Sequence, residues 1–344
     1  MRFFRGKRSV VGCDLGRGAV KLVQLTLMSK GWKVVHADLH ELSPESVDDD
    51  ACPSPQAIQA AMQRAWIAGE PIAVGLQRRP AVVRHIDLPP IPAREIREAL
   101  RWEAKKATSL GVDDVIVDYL AGDVVGGEGE RKMPVTMVAA ERAAVEGEFR
   151  QYERAGLHVT AMDVNPVAFY HAAHRVGADQ TGGGCVALVD IGLGRMDINI
   201  VKQGTLRFSR TIPMGGATLT QRLVQHFGID MSQAEAIKRE QGLSGKAKIL
   251  EVLGPEVDRL IVEIQRSVDY YRAQSRDGAL ERMLLAGGTP LMPGFVAYIS
   301  SFFDAKVALF NPFEGMDYLT AGADLEQIAP RYVSSVGLAL RERA

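Results

Sequence analysis

The sequence predicts an α/β fold of two similar lobes, each opening with a three-strand meander that turns on an Asp-apolar-Gly step. The first observation behind this is a repeat. GCDLGRGAVK from Gly12 is echoed by VDIGLGRMDI from Val189, so Asp14 and Asp190 each end an apolar run and start a glycine turn. The second is the alternation of short β-rich runs with stretches of helical period. The third is length, since 344 residues suit two domains of roughly 100–200 residues each. With 47% hydrophobic and 24% charged residues, both cores can be filled without a disulfide or metal staple.

Residues 10–15, 20–28 and 32–41 read as the first meander, with Ser29-Lys30-Gly31 as a turn. A Ser/Pro/Asp-rich loop spans 43–55, followed by a helix over 56–68 and a strand over 72–76. Pro89-Pro90 stops a strand at 82–88, and Pro92 suits the first turn of a helix over 93–107. Strands at 115–121 and 135–140 flank a glycine-rich tip at 126–130. A helix over 141–155, a strand over 159–164 and a helix over 167–175 lead to the joint Gly182-Gly183-Gly184. The second meander covers 186–190, 196–202 and 206–212, with Gly204 at a turn. Val257, Leu260, Ile261, Ile264, Val268 and Tyr271 mark one long amphipathic helix. A strand at 283–285 and a closing helix over 331–343 complete the chain. The expected division is a first lobe over 1–180, with a small inserted α+β subdomain at about 80–163, and a second lobe over 185–344.

Lys+Arg of 41 against Asp+Glu of 42 gives no global pull toward nucleic acid. The basic stretch from Arg2 to Arg8, with Phe3 and Phe4, reads first as a solvated terminus and second as a membrane-surface or partner contact. Cys13, Cys52 and Cys185 form no Cys-x-x-Cys pair, which fits a reducing compartment. No apolar run reaches ~18 residues and no signal core opens the chain, so a cytosolic protein is expected, with any membrane association made through a partner. The P-loop pattern fails at Glu240 and Ala247, the dinucleotide fingerprint fails at Asp197, and no G-x-S-x-G elbow exists. His171 and His174 could share a helix face but have no acidic or cysteine partner nearby in the sequence, and so read as structural or solvated.

A phosphate chain needs backbone amides that can approach closely, and glycine permits that. Gly16 and Gly18 in the first turn, and Gly192 and Gly194 in the second, supply bare backbone. Asp14 and Asp190, at strand ends, are placed to hold Mg²⁺ through water, and Lys21 adds a cation. Gly215-Gly216 precedes a helix whose first amides could receive phosphate. Gly287-Gly288-Thr289 offers flat backbone for a base or phosphate. Glu235 and Lys238, three apart on one helix, read either as an exposed ion pair or as a grip on a ribose or base.

Taken together, these stretches resemble the actin-like ATPases and, within them, the PilM family of type IV pilus proteins. The most specific run is VVRHIDLPPIPAREIREALRWEAKKATSLGVDDVIVDY from Val82, similar to that family's inserted subdomain. AEAIK, LLAGGTPLMPGF and SSVGLALRERA are similar to its nucleotide-contacting helix, adenosine site and closing helix. The resemblance implies a cytosolic scaffold recruited to the cytoplasmic face of the inner membrane. It would bind the cytosolic N-terminal peptide of a PilN-type membrane protein, meet other pilus inner-membrane proteins and motor ATPases, and self-associate. ATP or ADP with Mg²⁺ would sit between the lobes on the residues named above, and Trp102 would anchor the partner, its alternative being a core aromatic. Where the family carries hydroxyl residues, this chain has Arg17, Gly18 and Ala19 in the first turn and Leu193 through Met196, including Arg195, in the second. The two arginines could meet phosphate by charge, but lost hydroxyl contacts imply weak or absent hydrolysis. Two other functions compete. One is a small-molecule (sugar-type) kinase using Asp197. The other is an FtsA-like membrane tether, which the helix ending the chain disfavours.

Overall fold

A computed structural model describes residues 10–43, 46, 52–76, 81–108, 111–126, 131–180, 182–275, 278–318 and 325–341. The Arg2–Arg8 stretch, the hairpin tip beyond Gly126 and the last residues of the closing helix lie outside the described residues. β1 (Val10–Leu15), β2 (Ala19–Met28) and β3 (Gly31–Glu41) form the first antiparallel meander. α1 (Pro55–Arg64) starts on a cap, where Ser54 Oγ accepts from the Ala57 amide at 3.2 Å, and leads into β4 (Ile72–Gly75). β4 pairs parallel with β1.

The chain then leaves this sheet. β5 (Val82–Leu88), α2 (Ala93–Thr108), β6 (Val115–Ala121) and β7 (Met133–Glu141) make a separate sheet, ordered β5-β7-β6, with α2 laid on it. Ile96, Leu100 and Ala104, along one face of α2, fill its small core. α3 (Arg142–Arg154) returns the chain, β8 (Val159–Asp163) adds beside β4, and α4 (Asn165–Arg175) crosses to the second lobe. The inserted subdomain therefore ends with β7. The expected extent to residue 163 took in β8, whose partner lies far off in the sequence and belongs to the first sheet.

The second lobe repeats the meander in β9 (Cys185–Ile191), β10 (Met196–Lys202) and β11 (Thr205–Ile212). Gln203 (φ 49°) and Gly204 (φ 69°) make its two-residue hairpin turn. α5 (Gly216–Phe227), α6 (Met231–Glu240) and the 28-residue α7 (Ala247–Gln274) follow. β12 (Leu280–Ala286), α8 (Phe295–Ser300) and β13 (Lys306–Leu309) complete a sheet ordered β11-β10-β9-β12-β13.

The last segment goes back to the first lobe. β14 (Asp317–Tyr318) joins the edge of β3, giving the order β14-β3-β2-β1-β4-β8, and α9 (Leu325–Ile328) leads to α10 (Val333–Leu340). α10 lies against β1 and α4 with no room between: a methyl group on Gly12 would sit 1.9 Å from the Ser335 carbonyl oxygen, and one on Gly337 1.8 Å from that of Ala168. The sequence division placed these residues with the second lobe, but their packing is on the first. The expected closing helix also starts later, because residues 329–332 form a 3₁₀ turn before α10. α4 and α10 together lie between the two sheets, in a core containing Phe169, Leu188, Phe313 and Val336.

Candidate functional site

The two turns meet at the mouth of the cleft between the lobes. Cross-strand register gives them opposite electrostatics. On β1–β2, Asp14 stands opposite Lys21, and the ammonium pairs with Asp14 Oδ2 at 2.6 Å. On β9–β10, the partner of Asp190 is Asp197. Burial, then the charges of Asp197 and Asp14, push the Asp190 carboxyl up from its usual 3.8 to about 7, against the pull of Lys21 and Arg195. Asp197 itself accepts from Thr211 Oγ1 at 2.5 Å and pairs with Arg195 Nε at 3.3 Å.

Arg17 and Leu193 carry the contact between the turns. A methyl group on Gly194 would lie 2.6 Å from an Arg17 guanidinium nitrogen, and one on Gly18 3.2 Å from a Leu193 methyl carbon. Lys21 lies over Gly16 in the same way, at 2.8 Å. The predicted phosphate cations are therefore engaged within and between the turns.

Gly215-Gly216 packs backbone on backbone. The Gly216 amide donates to the Gly192 carbonyl at 2.9 Å and the Ala217 amide to that of Leu193 at 2.8 Å. These first amides of α5, expected to receive phosphate, are hydrogen-bonded to the second turn in this structure. Gly215 is required here, because a side chain would meet the carbonyl oxygens of Gly192 and Leu193 at 2.5 and 2.7 Å. Gly287 (φ 91°) closes the end of β12 onto Ile191 and Asp190, where a methyl would fall 2.4 and 2.5 Å from their oxygens. Gly288 follows it, and Thr289 Oγ1 donates to the Gly192 carbonyl at 3.1 Å.

Glu235 and Lys238 are neither an exposed pair nor an open grip. Lys238 is buried, and its ammonium donates to Glu235 Oε2 at 2.6 Å, Thr220 Oγ1 at 2.7 Å and the Gly216 carbonyl at 3.2 Å. Burial lowers its pKa, with the contact to Glu235 opposing. The pair thus fixes α6 to the start of α5, beneath Gly216. Trp102 stands outside α2 at 59% exposure with Lys105 Nζ 5.9 Å from its ring, which excludes the core alternative.

A clasp that has no signal in the sequence closes the rim. Glu41, at the end of β3, pairs with Arg331 at 3.0 Å and with Arg239 of α6 at 3.5 Å. Arg239 follows the Glu235–Lys238 pair on its helix, but nothing in sequence singles out Glu41.

The donor set fits a cation better than it fits free phosphate. Asp14 and Asp190 bring a carboxylate from each turn, and burial first, with the charges of Asp197 and Asp14 second, raises the Asp190 carboxyl, a cost that Mg²⁺ through water would relieve. Among the described residues no cluster of three or more His, Cys, Asp or Glu could hold a metal by itself, so phosphate or water would supply the remaining ligands. A phosphate chain would need the turns to part, with Arg17 leaving Gly194.

The sequence profile described as Type IV pilus assembly protein PilM matches residues 12–343. The cell division protein FtsA of Neisseria meningitidis serogroup B is 25% identical over 260 residues, 68% of this chain and 61% of that protein, so the chain spans under two thirds of that relative's length. Among solved structures, a PilM-PilN type IV pilus biogenesis complex superposes with a TM-score of 0.82 at 22% identity, covering 97% of this chain and 98% of that one. The ethanolamine utilization protein EutJ from Carboxydothermus hydrogenoformans follows at a TM-score of 0.55 and 19% identity, over 97% and 90%. The fold is that of the actin-like ATPases.

Proposed function

The chain belongs to the PilM family of type IV pilus assembly proteins, and on that premise we propose that it is a scaffold at the cytoplasmic face of the inner membrane. It holds the cytosolic N-terminal peptide of a PilN-type membrane protein and takes ATP or ADP with Mg²⁺ between its lobes as a conformational ligand. The observation that carries the peptide reading is a pair of strand edges. β6 ends the order of the inserted sheet and β8 ends that of the first sheet. Arg341 joins them, donating to the Met162 carbonyl at 2.6 Å and pairing with Asp118 at 3.3 Å and Asp163 at 3.2 Å. Two sheet edges tied side by side are a template for an extended peptide, whose main chain can pair with either. Trp102, exposed on α2 of the same subdomain, offers an apolar anchor.

Asp14 and Asp190 would hold the Mg²⁺, and Gly288 and Thr289 would lie beside the base. A nucleotide shifts the lobes only by its differential affinity for parted and closed turns. Hydrolysis is slow or absent in this reading. The Asp197 carboxylate, the group a base would need, is taken by Thr211 and Arg195, and the same engagement disfavours the small-molecule kinase reading.

Isothermal titration with a synthetic PilN-type N-terminal peptide, with and without Mg·ATP, tests the proposal. Peptide binding in both conditions with a nucleotide-dependent affinity is expected. Peptide binding without any nucleotide heat leaves the scaffold and removes the switch, and no peptide binding in either condition sinks the partner reading.

A further inference from the structure

The open edges of β6 and β8 are not bare. Backbone groups of successive residues point alternately to the two sides of a strand. The Gly122 amide, just past β6, donates to the Pro134 carbonyl of β7. Counting back through the β6–β7 register, Val117 and Tyr119 therefore turn their backbone groups away from β7, to the open side. In β8 the Asp163 carbonyl accepts from the Leu76 amide, just past β4, at 2.7 Å. The Met162 carbonyl before it therefore faces the open side of that sheet.

Side chains of the chain itself take these outward groups. Arg97, on α2, donates to the Val117 carbonyl at 3.4 Å. Asp118 Oδ1 accepts from the Tyr119 amide at 3.0 Å. Arg341 donates to the Met162 carbonyl at 2.6 Å. Asp118 also stands between the two guanidiniums, 3.5 Å from that of Arg97 and 3.3 Å from that of Arg341. A carbonyl and an amide of β6 and a carbonyl of β8 are thus filled by one linked cluster.

These are the groups an added strand would use, and charged side chains over a sheet edge oppose pairing with another chain. The cluster can also give way. Arg97 and Asp118 are exposed, both Arg97 contacts are long, and exposed ion pairs are weak. Arg341 is held more firmly, because Asp163 pairs with it as well at 3.2 Å.

We propose that Arg97, Asp118 and Arg341 form a guard on the peptide edge, closed when no peptide is bound and displaced when an extended peptide pairs with β6 and β8. Resting on the peptide reading of the same edges, the guard gives that site its regulation. Peptide amides replace the guanidiniums on the Val117 and Met162 carbonyls, and a peptide carbonyl replaces Asp118 on the Tyr119 amide. Apparent affinity is reduced by the fraction of molecules whose guard is open. A segment that offers main-chain pairing alone is therefore rejected, and the side chains of the right peptide must offset the opening.

Arg97→Ala and Asp118→Ala each remove part of the guard at an exposed position. Isothermal titration with a synthetic PilN-type N-terminal peptide is expected to give each variant a Kd roughly threefold to tenfold below that of the wild type. The advantage of R97A shrinks as salt rises, because salt screens the Arg97–Asp118 pair in the wild type. Amide hydrogen exchange supplies a readout without peptide. The Tyr119 amide is expected to exchange faster in D118A than in the wild type, and to be protected in both once peptide is added. Equal or weaker peptide binding by both variants overturns the guard and leaves the peptide reading standing. An unchanged Tyr119 exchange rate in D118A overturns the guard without reference to any peptide. Peptide binding by none of the three proteins overturns the peptide reading, and with it the guard's role.

Discussion

At the scale of residues, the two turns are alike in backbone and opposite in charge. The position that is Lys21 opposite Asp14 is Asp197 opposite Asp190, so the first turn is internally neutralised and the second carries a surplus carboxylate. A titration follows. Asp190 keeps its proton in the folded chain up to about 7, whereas the unfolded chain loses it near 3.8. Between those values the native state binds the extra proton, so stability falls as pH rises through this window and levels off above it. Asp190→Asn removes the effect. The variant is expected to match the wild type below the window and to be more stable above it, by on the order of 2–4 kcal/mol in urea unfolding without Mg²⁺. A constant difference across the window would reject the raised Asp190 pKa, whether burial or the neighbouring carboxylates raise it. Sequence spacing was enough to bring Asp14, Asp190, Gly192, Gly216 and Thr289 to one place. It could not show that Lys238 is consumed by Thr220 and Gly216, because a helix pattern reports neighbours along one element only. Glu41 was equally illegible, since a strand-end acid has no marker until its partners arrive from elsewhere in the fold.

Among the elements, α10 ties the end of the chain to its beginning. Val333–Leu340 is apolar nearly all round, so periodicity reveals that it is buried but not by what. The structure puts it against β1 and α4, where Gly337 touches the Ala168 carbonyl. Gly337→Ala drives a methyl into backbone that cannot swing aside, and is expected to cost about 3 kcal/mol or more. Gly147→Ala is the matched control. It lies within α3 with nothing near its added methyl, so helix propensity predicts a gain of about 0.5–1 kcal/mol. Equal urea midpoints for the two variants would mean that α10 does not carry this junction. The strands at 115–121 and 196–202 were legible to the residue because each is a β-rich run closed by a clear turn signal. β13, β14 and α8, of 4, 2 and 6 residues, are too short to show a period. β8 was legible as a strand, yet its sheet was not, since its partner β4 comes before the whole inserted subdomain.

For the whole molecule, the question is what holds the lobes in their observed relation. α4 and α10 form the shared floor, with Asn199 of β10 donating to the Pro166 carbonyl at 2.8 Å and Tyr170 to that of Gly204 at 2.7 Å. The inserted subdomain adds a side tie, Thr136 Oγ1 donating to the Leu206 carbonyl at 2.8 Å and Arg207 pairing with Asp87 at 3.6 Å. At the open rim stand the Arg17–Gly194 contact and the Glu41 clasp. The floor and the Thr136 bond of the side tie are buried or part-buried, while Glu41 is half exposed, and exposed ion pairs are worth roughly 0–1 kcal/mol each. The rim is thus the element that can yield without unfolding. Glu41→Ala is expected to lower global stability by less than about 1 kcal/mol, because Arg331 and Arg239 regain water when released. It acts on opening more than on folding, since among the described residues the rim is otherwise closed by the Arg17 and Leu193 contacts and by the Gly287 amide donating to the Pro330 carbonyl at 2.9 Å. Loss of the clasp therefore shifts the lobe equilibrium severalfold toward parted turns, on the order of fivefold for 1 kcal/mol. If nucleotide enters between parted turns, Mg·ATP association with E41A, followed by stopped-flow fluorescence, speeds up by a similar factor. The radius of gyration in small-angle scattering rises with it. High salt screens the same pair in the wild type, so the wild-type rate should climb toward that of E41A as salt is raised, while the rate of E41A changes less. Parallel salt dependence in the two proteins would place the gate at Arg17 instead of Glu41.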